Sequence, residues 1–127
     1  MIKLTVNEIL TLNENLGKLM EQKFPASITF TLARLIRFCS EEVKTFENAR
    51  YQIAERYGKR NEEGELDVNE NGQVAINPNK IKECNEEFAE LLRSEVEINV
   101  NKIPLSAFDG LELTPKEMLS LEPIVEM

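Results

Sequence analysis

The stretch SITFTLARLIRFCSEEVKTFENARYQIAERY, Ser27 to Tyr57, decides the fold. Within it Leu32, Cys39, Phe46 and Ile53 recur every seven residues, with Ile36, Val43 and Tyr57 alongside. That spacing gathers side chains on one face of a helix. At 1.5 Å per residue the helix is about 45 Å long. Ser27 is its expected N-cap. Gly58 follows as the residue past its end, with Arg56, Lys59 and Arg60 placed at the negative end of the dipole. Phe46, at the centre of the stripe, is expected to be buried.

Working upstream, Thr5 and Glu8 fit a capping box, flanked by Leu4 and Ile9 as a hydrophobic staple. Ile9, Leu12, Leu16 and Leu19 then mark one buried stripe. Val6, Leu10 and Met20 broaden it, Lys23 falls in the expected last turn, and Phe24-Pro25 is the expected stop. A short link holding a proline makes the pair an antiparallel helical hairpin. The first helix is too short to cover the second. Phe46 to Tyr57 must therefore pack on something later in the chain.

Downstream, Leu66 and Val68 alternate with charge, as do Val74 and Ile76. A three-residue loop at Glu70-Asn71-Gly72, closed by Gly72 in the left-handed region, sets Val68 opposite Val74 and Leu66 opposite Ile76. Asn77 caps a third helix with Pro78 at its first position. Ile81, Cys84, Phe88 and Leu91 are its expected buried stripe, flanked by Leu92. Glu95 to Val100 alternates strictly and predicts a third strand beside the hairpin. Helices two and three are the available cover for such a one-faced sheet. In the tail, Ser106 with Asp109 and Thr114-Pro115 with Glu117 read as helix starts, and Pro123 stops the second. Leu105, Phe108, Leu111, Leu113, Met118, Leu119 and Leu121 are too apolar for a free tail.

The expected class is thus α+β and mostly helical: a helical hairpin, a three-stranded sheet, a third helix and a packed helical tail. It reads as one domain, residues 1–127, subdivided at 1–58, 59–102 and 103–127. An apolar content of 42% with 30% charged residues fits a globular chain rather than a disordered one. No apolar run approaches the ~18 residues of a membrane span, and charge interrupts the start too early for a signal peptide. The expected location is the cytoplasm, with no membrane partner. Cys39 and Cys84 lie on apolar stripes, outside any C-x-x-C spacing, and read as small buried hydrophobes.

The chain contains no histidine. That removes the usual general base at neutral pH, the histidine-dependent triads and the commonest transition-metal ligand. An enzyme would have to work with carboxylates, lysine or tyrosine. Phosphate-binding and nucleophile-elbow motifs do not occur. Asp67-x-Asn69-x-Asn71-Gly72 matches the first half of a calcium loop, but its closing ligand position falls on Pro78, whose side chain offers no oxygen. No cofactor and no metal site is expected. The adjacent acids Glu41-Glu42, Glu62-Glu63 and Glu86-Glu87 point about 100° apart where helical and read as solvated faces.

Charge is uneven. The net charge is −8; residues 1–60 hold ten Lys/Arg against seven Asp/Glu, and residues 61–127 hold five against sixteen. The acidic half would be repelled by a phosphate backbone, so nucleic acid is not the expected partner. Arg34, Arg37 and Lys44 form a modest basic stripe on the long helix. Glu83, Glu86, Glu87 and Glu90 are expected on the exposed side of the third helix, as a row able to steer a basic partner.

Several segments are similar to a known family: Phe24-Pro25-Ala26-Ser27, Phe46-Glu47-Asn48-Ala49-Arg50 and Glu55-Arg56-Tyr57-Gly58-Lys59. To these add Glu86-Glu87-Phe88-Ala89-Glu90-Leu91-Leu92 with Glu95-Val96, and Leu105-Ser106-Ala107-Phe108-Asp109-Gly110-Leu111-Glu112-Leu113. Their order resembles short, functionally unassigned proteins of phages and prophages of Gram-positive bacteria. The resemblance implies a source and a fold, and no active site. The expected function is non-enzymatic: a small phage protein that binds and modulates a host or defence protein. The alternatives are a virion structural or assembly factor, for which self-association is expected, and a small carboxylate-based enzyme.

Overall fold

A computed structural model describes residues 1–126. Helix accounts for 60% of the chain and strand for 14%, an α+β, mostly helical architecture. In chain order the elements are β1 (Ile2–Thr5), α1 (Val6–Leu19), α2 (Ala26–Arg56), α3 (Ile81–Arg93), β2 (Glu95–Ile98), β3 (Ile103–Pro104), α4 (Pro115–Leu121) and β4 (Val125–Glu126). Two compact units result, and their boundary falls inside α2 rather than at the expected 58 and 102. One comprises Met1–Val43 with the segment from Ser94 on; the other is Lys44–Arg93.

The first unit is built on the N-terminal strand. Ile2 and Leu4 alternate with Lys3 and Thr5, and they pair antiparallel with Ile98 and Val96. All four apolar side chains therefore share one face of the ladder. Lys3 also reaches Glu95 at 3.3 Å on the wet face. The strand Glu95–Ile98 thus joins β1 and not the hairpin, which corrects the expected three-stranded sheet. Leu4 and Thr5, read as staple and cap residues for α1, belong to this strand as well. Thr5 ends β1 and caps α1: its hydroxyl accepts from Glu8 N at 3.1 Å, and Glu8 Oε1 accepts from Thr5 N at 2.9 Å. A cap of this kind stabilises by about 1 kcal/mol.

α1 ends at Leu19, a turn earlier than Phe24-Pro25 suggested. Beyond it Met20 and Glu21 are exposed, so no apolar face remains to carry the helix on. Phe24 instead meets Phe108 edge-to-face at 6.2 Å. Ser27 is the second residue of α2 and not its cap; Thr29 N closes on Pro25 O. Leu12, Leu35, Cys39 and Ile124 are fully enclosed at the centre of this unit's core. The tail closes the core through Phe108 and Leu121, although Leu105 and Leu119, expected to pack with them, stay exposed. Thr114 caps α4, and Ile103 pairs in parallel with Val125. Lys18 holds Glu117 at 3.0 Å. That hydrogen bond is the main reason the Glu117 carboxyl titrates below the ordinary range.

The second unit contains an eight-residue repeat. Asn61, Asn69 and Asn77 each open a turn, and each side-chain Oδ1 accepts the backbone N–H two residues on, at 2.9, 2.9 and 3.1 Å. Gly64 and Gly72 close the first two turns at φ +80° and +78°, a region that L side chains rarely adopt. The three extended segments so separated close in a ring. Lys59 N donates to Ala75 O, Ala75 N to Asp67 O and Asp67 N to Lys59 O, at 2.7–2.8 Å. The three-residue loop at Glu70-Asn71-Gly72 and the Val68–Val74 pairing are as expected. Leu66 pairs with Arg60, however, and Ile76 with Gly58, because the chain leaving α2 supplies a third segment to the ring.

The buried side chains of this unit are Ile53 and Cys84, and of the two only Cys84 is fully enclosed. Phe46 is half-buried, not enclosed, and Phe88, Leu91 and Leu92 are likewise partly open. Ile81 opens α3 with 47% of its surface exposed, which removes it from the expected stripe. Fifty residues wound into one helix face, a ring of turns and a short helix leave too little chain to cover them. Small units bury a smaller share of their surface.

Candidate functional site

α3 carries the four acids singled out by spacing, and it separates them. Asn77 and the 3₁₀ turn Pro78–Lys80 launch the helix, and Cys84 turns one face inward. Glu83, Glu86 and Glu90 are exposed, at spacings of three and four. Glu87 is different. Its two oxygens both lie 2.9 Å from Arg56 Nη1, and Tyr57 OH donates to Oε1 at 2.8 Å. That hydrogen bond, ahead of burial, raises the Tyr57 hydroxyl above its usual range. Glu87 therefore ties α3 to the end of α2 and does not share the exposure of Glu83, Glu86 and Glu90. Charge-assisted bonds of this geometry are the stronger kind, so reversing Glu87 would set a cation against Arg56.

Around this helix the second unit also shows apolar surface. Tyr51, Val68 and Ile81 are 51%, 43% and 47% exposed. A groove of about 560 Å³ includes Tyr51, Val74, Ile76 and Phe88 in its lining, with the Glu47–Arg50 ion pair beside them. Spacing alone missed Tyr51. The signal was present in the seven-residue step from Lys44, which puts both on the outward side of α2.

The half-motif for calcium is a turn. Asn69 Oδ1 is taken by Asn71 N and Gln73 N at 2.9 Å each, and its amide donates to Gln73 Oε1 at 3.1 Å. Among the described residues no group of three or more Cys, Asp or Glu is placed to hold a metal ion. No helix among them is long and apolar enough to cross a membrane. Arg34, Arg37 and Lys44 are exposed as expected, and Arg34 has an aromatic neighbour the spacing did not suggest: exposed Phe30, over whose ring it lies.

Both cysteines are free and buried. Burial, with a smaller contribution from Glu42, pushes the Cys39 thiol up to about 11; burial and then Glu87 raise Cys84. Thiolate is the reactive form. Both thiols should therefore react slowly with Ellman's reagent at pH 8 in the native protein and at once in urea. A fast native phase worth one equivalent would contradict the packing of one of them.

No protein-family model matches this chain, and neither curated proteins nor solved structures give a match.

Proposed function

We propose that this is a non-enzymatic protein of a Gram-positive bacteriophage, acting in the host cytoplasm, that binds and modulates a host or defence protein through direct contact. One observation carries the reading. The Lys44–Arg93 unit buries only Ile53 and Cys84, while it presents Tyr51, Val68 and Ile81 along with the carboxylates of Glu83, Glu86 and Glu90. Surface of this composition, with an exposed aromatic and charged flanks, suits protein recognition. The absence of histidine and the resemblance of the helix-ending and tail segments to phage proteins support the same assignment.

The exposed acids have little to contribute to folding, since exposed pairs stabilise by only about 0–1 kcal/mol. They act at long range instead, over about 10 Å at 0.1 M salt. Affinity capture from host lysate with mass spectrometry identifies the partner. Stopped-flow association then compares the parent with Glu83→Lys/Glu86→Lys. The expected result is association slowed by about tenfold at low salt, with the gap closing as salt rises. Equal rates at low salt would show that α3 does not steer the encounter. Co-purification with virion components alone would favour an assembly role.

A further inference from the structure

The outward face of α2 in the first unit presents a second surface, of opposite sign. Phe30, Arg34 and Arg37 fall at spacings of four and three, so they line one face, while Leu32, Leu35 and Cys39 occupy the buried one. Phe30 keeps 65% of its surface exposed, and so adds little to the core. The Arg34 guanidinium lies 6.0 Å from the centre of the Phe30 ring. Its Nη2 donates to Asn99 O at 3.2 Å, across 65 residues of sequence. The Arg34 cation is therefore tethered beside the Phe30 ring before any ligand arrives, which lowers its ordering cost on binding. Arg37 extends the positive surface by one turn, and Glu41 marks its end.

The geometry points to a docking site on Phe30, Arg34 and Arg37 for an acidic, partly apolar helical segment of another protein. An exposed aromatic beside two arginines has the composition of an interface hot spot. Charge complementarity selects the occupant. Carboxylates three or four residues apart on a partner helix match the rise between Arg34 and Arg37, and an apolar side chain between them covers Phe30. Nucleic acid offers negative charge too, but at one charge per about 1.7 Å of duplex it meets the repulsion of a chain with net charge −8. A protein segment brings a few carboxylates and apolar contact together. The site is independent of the α3 acids.

The test uses the full chain and a labelled synthetic helical peptide, with glutamates three and four residues apart beside a leucine face. A second peptide has lysine for each glutamate. Fluorescence anisotropy should show binding of the acidic peptide only, weakening with salt. Phe30→Ala and Arg37→Glu should each weaken it by about tenfold. Both sites lie on the exposed face, so the unfolding midpoint of each variant should match the parent. Glu83→Lys/Glu86→Lys should bind this peptide no worse than the parent, which separates failure here from failure of the α3 surface. Three results overturn the assignment: no binding of the acidic peptide at millimolar concentration, equal binding of both peptides, or binding indifferent to Phe30 and Arg37. A single-stranded oligonucleotide that binds more tightly and is sensitive to the same variants would overturn it in favour of nucleic acid.

Discussion

Leu12→Ala should destabilise the first unit by about 2–5 kcal/mol, the range for deleting a fully buried leucine side chain. Leu12 has no exposed surface and sits among Ile9, Leu16, Leu35 and Ile124, all enclosed to within 1%. Two effects add: apolar atoms lose their burial, and the cavity left behind collapses only in part. Small domains hold about 5–15 kcal/mol in total, so this one change removes a large share. Urea unfolding followed by circular dichroism measures it. A midpoint within experimental scatter of the parent would refute the assignment of α1 to the core. Phe46→Ala should cost less than the about 3–5 kcal/mol typical of an enclosed phenylalanine, because Phe46 is already half open to water.

Gly58→Ala should loosen the ring of turns in the second unit, and the reason is space. A Cβ at this position would lie 2.6 Å from Leu66 Cδ2, 2.8 Å from Val74 Cγ1 and 2.9 Å from Ala54 O. The first two can shift, at the expense of the apolar contacts around them. The carbonyl belongs to the last turn of α2 and cannot shift without disturbing the helix. Overpacking of this kind costs about 1–3 kcal/mol. Gly58, Leu66 and Val74 are eight residues apart and occupy equivalent places in the three segments, so the missing side chain at Gly58 makes room for the other two. Amide hydrogen exchange at Lys59, Asp67 and Ala75 reads the effect directly, since those three N–H groups close the ring. Exchange should speed up at all three together. Unchanged protection would mean that Leu66 and Val74 do not pack over Gly58.

The acidic surface shows how far residue spacing carries a functional argument. Spacing predicts Glu83, Glu86, Glu87 and Glu90 on the exposed side of α3; Glu83, Glu86 and Glu90 are exposed there, while Glu87 is partly covered. It could not say that Arg56 and Tyr57, thirty residues earlier, arrive beside Glu87 and neutralise it. The same limit hid the docking face on α2. Arg34 and Arg37 were visible as a stripe, but the tether to Asn99 that sets Arg34 over Phe30 exists only in the folded chain.

By itself the sequence determined the local elements, because their causes lie within a few residues of one another. The long helix follows from its seven-residue repeat, the start of α1 from Thr5 and Glu8, and the turn at Gly72 from its need for positive φ. The eight-residue repeat of Asn61, Asn69 and Asn77 is equally local, but the alternation of Leu66, Val68, Val74 and Ile76 by itself predicts a two-stranded hairpin. Tertiary structure alone decided strand partners and burial. Glu95–Ile98 alternates in a way that suits any one-faced ladder, and its pairing with Ile2–Thr5 depends on a shared core more than ninety residues away in sequence. Phe46 and Ile81 carry the periodicity of buried residues yet stay partly open. Periodicity states which side chains face the same way; only the packed chain determines whether enough of it is left to cover them.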